Sequence, residues 1–167
     1  VSPTSAPSVS AGPSNPPTLD DCQVTPRERS EQIFALLETV ADPVLFRDVT
    51  TSQGMAAEWL IEHDVRALCP DEEKLIQRWV IAVIYFSTGG DSWLQCSASG
   101  NDACGAEIPF RSERRFLSGF SECQWAGISC NSDSCVTELE FGTYSYASMP
   151  MVVVVAGSML EHSNSFP

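Results

Sequence analysis

The chain has 167 residues, room for one ordinary domain and a tail, and it carries 22 Asp and Glu against 9 Lys and Arg, a formal charge of −13. That charge repels phosphate backbones and anionic lipid, which argues against nucleic acid as a partner. Seven cysteines are dense for a cytosolic domain of this size; they point to an oxidising compartment and a disulfide framework, with the odd thiol free, paired to another chain, or left over by truncation.

Residues 1–21 open with "VSPTSAPSVSAGPSNPPT", Ser, Pro, Thr and Ala with little to bury. Such a segment cannot offset its ordering entropy, so a disordered stalk is expected, either O-glycosylated or a bare linker. No signal-peptide pattern leads the chain, which begins at Val1, and targeting information is expected upstream.

Residues 22–90 read as a helical region. Thr25, Pro26 and Glu28 form a capping box with proline in the first turn, and Ile33, Leu36, Leu37 and Val40 then share one face. Asp42-Pro43 stops this helix. "SQGMAAEWLIEHD" (52–64) predicts a second, shorter helix presenting Met55, Trp59 and Leu60. A third is expected to begin near Asp71, where acids complement the helix dipole, and to run to Gly89-Gly90. From Trp79 to Phe86 it is apolar on nearly every side, so it should be the central, buried helix of a three-helix bundle.

Beyond Gly90 the texture becomes Cys-, Gly- and Ser-rich. "DSWLQCSASGNDACG" (91–105) is a loop bracketed by Cys96 and Cys104, and "CVTELEF" (135–141) alternates like a strand with Val136, Leu139 and Phe141 facing inward. Between them lies "CQWAGISC" (123–130), whose spacing alone permits a metal clip, a redox pair or a disulfide staple. The late run "MPMVVVVAGSML" (149–160) is too short for a bilayer span, which takes roughly 20 apolar residues.

The succession "YFSTGGDSW", "FLS", "CQWAGISC" and "VTELEF" resembles the N-terminal cap of plant-type leucine-rich-repeat proteins, especially receptor-like members of diatoms and related algae. The resemblance covers roughly residues 25–141. It implies a Cys123–Cys130 staple, Trp93 and Trp125 as packing plates, Gly127 as a tight turn, and Val136, Leu139 and Phe141 as the first repeat strand. A cap of this kind covers the open apolar end of a solenoid. The repeat pattern then departs: Tyr144 stands at its asparagine position, Ser148 at its glycine position, and no second repeat follows. A frame change or misplaced gene end near residue 142 would explain the atypical tail 142–167; a genuine extra strand is the alternative.

Of the remaining cysteines, Cys96–Cys104 would close a short loop, and Cys22–Cys69 would tie the first helix to the third. Cys135 is left over. Zinc is the structural rival, but no cysteine pair has the two-residue spacing of common structural sites. His63 near Cys69 could form a nucleophile pair, and Glu58 with Glu62 a carboxylate pair. A helix-terminal histidine and exposed helical acids are the commoner meanings of those residues. No catalytic, metal-binding or cofactor-binding residues are therefore assigned.

The expected fold is mainly α: a small helical bundle, then a disulfide-stapled cap loop (within 91–141) with one or two short β-strands of an incomplete solenoid. The resemblance implies a non-catalytic, extracellular or cell-surface receptor-like protein, tethered by an upstream segment. Its missing repeats would bind a protein or glycan ligand. The alternatives are a free-standing secreted acidic domain of the cell wall and, third, a Cys-dependent enzyme.

Overall fold

The computed structural model describes residues 22–93, 96–99, 104 and 114–141, together with the backbone of 151–154. The stalk expected over 1–21 and most of the tail beyond 141 lie outside the described residues. The protein is mostly helical, with a small antiparallel sheet and three disulfides, and it contains no solenoid among the described residues.

Helix α1 (Pro26–Leu37) starts at a reciprocal cap. Thr25 Oγ1 accepts from the Glu28 amide at 3.2 Å, and Glu28 Oε2 accepts from the Thr25 amide at 2.8 Å. Its buried stripe is Arg29, Ile33 and Leu37, four residues apart. Contrary to the expectation from spacing, Val40 does not join that face and is 47% exposed. The helix has ended by then; three-residue bonds from Thr39 to Leu36 and from Val40 to Leu37 tighten the chain and turn Val40 outward.

The expected stop at Asp42-Pro43 also begins a further short helix, α2 (Pro43–Phe46). Asp42 Oδ1 accepts from the Val44 amide at 2.9 Å, and proline suits the first helical position. Its purpose in packing is to place Phe46, buried and stacked on Phe34 at 5.9 Å.

Helix α3 (Ser52–Glu58) runs straight into a π-helical turn over Trp59–His63, closed by the Asp64 amide donating to the Trp59 carbonyl at 2.8 Å. Ala56, Ala57, Trp59 and Leu60 are buried, whereas Met55 is only half-buried. Helix α4 (Leu75–Ser87) starts later than the acid cluster suggested. Cys69 is anchored to Cys22, and the chain then turns through Asp71–Lys74, with three-residue bonds from Glu72 to Cys69 and from Leu75 to Glu72. Nor is α4 enclosed on every side: Leu75, Arg78, Trp79, Ile81, Ala82 and Tyr85 are buried, but Val80 is 41% exposed. It packs mainly on α3.

The sheet has the order β1–β2–β3, all antiparallel: β1 (Ile128–Cys130), β2 (Val136–Phe141) and β3 (Met151–Val154). Ile128 pairs with Leu139, and Leu139 with Val153. The central strand β2 therefore has both edges occupied. Ile128, Val136 and Leu139 point into the same core as the helices, where Trp125 and Phe116 meet Trp59, Trp79 and Tyr85. One continuous apolar interior thus joins the helical region to the loop and strands.

Candidate functional site

The three disulfides link Cys22 to Cys69, Cys96 to Cys104 and Cys123 to Cys130, and Cys135 keeps its thiol. The loop 123–130 begins with a short turn over Glu122–Gln124 and ends in β1. Its tryptophan is wholly buried: Trp125 meets Trp59 edge-on at 6.0 Å and Phe116 at 5.6 Å. The Trp125 indole nitrogen finds no hydrogen-bond acceptor among the described residues, so stacking and burial hold the ring.

Gly127 sits at φ +77°, and a Cβ there would lie 2.3 Å from the Glu140 carbonyl oxygen. The reason is pairing: the Glu140 amide donates to the Gly127 carbonyl at 2.7 Å, bringing β2 against the loop. Only a residue without a side chain allows both the backbone conformation and that approach. Trp93 is half-buried, edge-on to Tyr85 at 5.0 Å and to Phe116 at 4.9 Å. It belongs to the aromatic packing of this region. Val136 and Leu139 are buried in β2, and Phe141 ends that strand with its side chain outside the described residues.

What the sequence did not reveal is how the loop is fastened to the helices. Arg78, on the buried face of α4, is fully enclosed and spends every N–H on a partner. Nε and one terminal nitrogen bind the two oxygens of Asp64 at 2.6 Å each. The other N–H groups donate to the carbonyls of Ser118 (2.8 Å) and Phe120 (2.9 Å) and to Glu122 Oε2 (3.3 Å). The guanidinium also lies 4.7 Å from the Trp125 ring centre and 5.2 Å from that of Trp59. One side chain therefore binds the end of the π-turn, the approach to the stapled loop, and the loop's tryptophan.

Gln77, on the preceding residue, continues the fastening. Its amide nitrogen donates to Glu122 Oε1 at 2.7 Å and to the Ser134 carbonyl at 3.0 Å, and its oxygen accepts from the Val136 amide at 2.8 Å. A second buried arginine, Arg29, donates to the carbonyls of Leu60, Ile61 and Leu68. These are acceptors around the end of the π-turn, where a cation is favoured. Burial lowers the Arg29 guanidinium below its ordinary value, while Asp64 and Glu62 oppose that shift.

Cys69 is bonded to Cys22 and has no thiol to offer as a nucleophile beside the exposed His63. Glu58 and Glu62 are exposed on the helix and its π-turn. The buried carboxylates, Asp64 and Glu122, are both engaged by Arg78. No group of three or more His, Cys, Asp or Glu is placed to hold a metal among the described residues, and no helix there is long and apolar enough to cross a membrane.

No protein-family model, curated protein or solved structure matches this chain.

Proposed function

We propose that this chain is a non-catalytic, extracellular N-terminal capping region of the leucine-rich-repeat type, which supports recognition of a protein or glycan by a repeat array. The observation that carries this reading is the seating of the stapled loop. Trp125 is sealed beneath α4 by Arg78, and the loop delivers the chain directly into β1 and β2, whose Ile128, Val136 and Leu139 face the core. A cap must do two things: present an edge of sheet on which an array could stack, and resist being peeled off. The loop–helix lock suits the second task; β2 would suit the first once the edge that β3 occupies is left open. Three disulfides are typical of extracellular proteins and support that location.

The reading is tested by grafting residues 22–141 onto a plant-type repeat array stripped of its own cap. Restored solubility and a single cooperative unfolding transition are expected. An array that stays aggregated or melts in stages would count against it.

A second reading, a free-standing secreted acidic domain of the cell wall, is favoured by one observation. β3 pairs antiparallel with β2 along the edge opposite β1, where a further repeat strand would have to add. Removing residues 142–167 separates the two readings. A large loss of stability supports the free-standing domain, and an unchanged unfolding midpoint supports the cap.

A further inference from the structure

One thiol and one amine stand outside all of the above. Lys74 is the residue just before α4, and its Nζ donates a hydrogen bond to the Sγ of Cys135 at 3.0 Å. Cys135 is the cysteine left without a disulfide. The contact is held from both segments. Gln77, one helical turn beyond Lys74, grips the Ser134 carbonyl at 3.0 Å and the Val136 amide at 2.8 Å, bracketing Cys135 on either side. From below, Asn131 binds the Cys135 amide through its side chain and the Cys135 carbonyl through its backbone, both at 2.9 Å. Cys135 is half-buried, and Lys74 lines an open surface depression with Cys69, Asp71, Glu72 and Glu73. Lys74 and Cys135 are each partly open to solvent, while the other six sulfurs are already bonded.

We propose that Lys74 and Cys135 form a site of reversible oxidative cross-linking, in which a peroxide-class oxidant leads to a sulfur–nitrogen bond between Sγ and Nζ. In the first step the Cys135 sulfur attacks a peroxide oxygen: an S–O bond forms, the O–O bond breaks, the sulfur is oxidised by two electrons, and the peroxide is reduced to water. The product is a sulfenic acid. In the second step Lys74, having released its ammonium proton to solvent, attacks Sγ through the Nζ lone pair. The S–N bond forms, the S–O bond breaks, and hydroxide leaves with the amine's proton as a second water. The protein has lost two hydrogens in total. Sulfenic acids condense reversibly in this manner with a backbone nitrogen; here the nitrogen within reach is Lys74 Nζ, at 3.0 Å. The bracket around Cys135 matters because it keeps the amine at hand before a second oxidant arrives. The closed bridge would tie the start of α4 to the start of β2, fastening the hairpin to the helices by a covalent bond.

The test treats the folded, non-reduced chain with hydrogen peroxide and digests it after glutamate. Cleavage at Glu73, Glu107, Glu122 and Glu138 places Lys74 and Cys135 on separate peptides, each with only an internal disulfide. The expected product is a joined peptide with the summed mass less two hydrogens, split again by a phosphine. Lys74→Arg keeps the positive charge without the nucleophilic amine and should abolish the joined peptide while leaving Cys135 oxidisable. Alkylating Cys135 in the native wild-type chain before peroxide should abolish it too, whatever the stability of the variant. A Cys135 sulfinic acid, a Cys135-linked dimer, or a bridge that retains an added oxygen in place of the S–N product would overturn the proposal.

Discussion

Arg78 and Asp64 meet through two hydrogen bonds of 2.6 Å, with neither side chain exposed to solvent. The pair links helix α4 to the end of the π-turn, and the same guanidinium reaches on to Ser118, Phe120 and Glu122 before the stapled loop. Removing one partner of a buried ion pair leaves the other uncompensated in a poorly solvating interior. Asp64→Asn should therefore cost about 3–5 kcal/mol in urea unfolding, and Arg78→Lys should also be costly because an ammonium cannot reproduce the planar fork. Replacing Arg78, Asp64 and Glu122 together by apolar residues of similar size should recover much of that loss. A cost below about 1 kcal/mol for Asp64→Asn, the size of an exposed pair, would mean the lock is not buried in solution.

Two glycines separate torsional strain from steric clash. Gly89 has φ +68° with open space around its missing Cβ, whereas Gly127 has φ +77° and the Glu140 oxygen 2.3 Å from that position. Gly89→Ala should cost about 1 kcal/mol, the strain of a left-handed alanine. Gly127→Ala should cost several times more, since the Glu140–Gly127 bond must break or β2 must move. Equal costs, measured by urea midpoint, would refute the close approach.

The disulfides differ in the loops they close. Cys22 and Cys69 are 47 residues apart, and Cys123 and Cys130 only 7. Chain-entropy arguments give about 4 kcal/mol for the first and about 2.5 kcal/mol for the second. Paired Cys→Ala variants should follow that order by thermal or urea unfolding. Non-reducing peptide mapping of the wild type should find both links.

Alkaline sensitivity should trace to Tyr85. Its buried hydroxyl donates to Asp91 at 2.7 Å and accepts from the Ala98 amide at 3.0 Å. Burial is the main cause that pushes this phenol above its ordinary value; the Ala98 amide pulls it back, and the bond to Asp91 raises it further. In the unfolded chain the group releases its proton near pH 10, while the folded chain retains it. The contribution is therefore whole below about pH 10 and is lost as pH rises from there toward the folded value. With Cys135 alkylated to prevent disulfide exchange, the urea midpoint of the wild type should fall between about pH 9 and about pH 11. Tyr85→Phe should start less stable and fall less steeply; parallel curves would contradict the assignment.

Local signals in the sequence were legible where local physics decides. The Thr25–Glu28 box and Pro26 mark the start of α1, Gly89 marks the end of α4, and the alternation in "VTELEF" marks β2. Asp42-Pro43 was ambiguous because a residue pair that ends one helix is also a good cap for another. The central lock was hidden for a different reason. Within "LIQRWVIAVIYF", a single arginine reads as a solvent-facing break in an apolar helix, and nothing near it in sequence names its partners. Asp64 lies 14 residues earlier and Glu122 44 residues later. Lys74 and Cys135 are 61 apart. Long-range polar pairing of this kind is set by tertiary packing, and one sequence carries no periodic trace of it.

The central claim is that the stapled loop and the helical region open as one cooperative unit, as the proposed cap role requires. Native-state hydrogen exchange tests it most directly, by comparing the Trp125, Ile128 and Glu140 amides with those of Trp79 and Ala82 in α4. Each loop or strand amide has a backbone acceptor, at 3.0 Å, 3.1 Å and 2.7 Å respectively. The account predicts that both sets exchange only through global unfolding, with the same opening free energy. Loop amides that open at much lower free energy while α4 stays protected would contradict it.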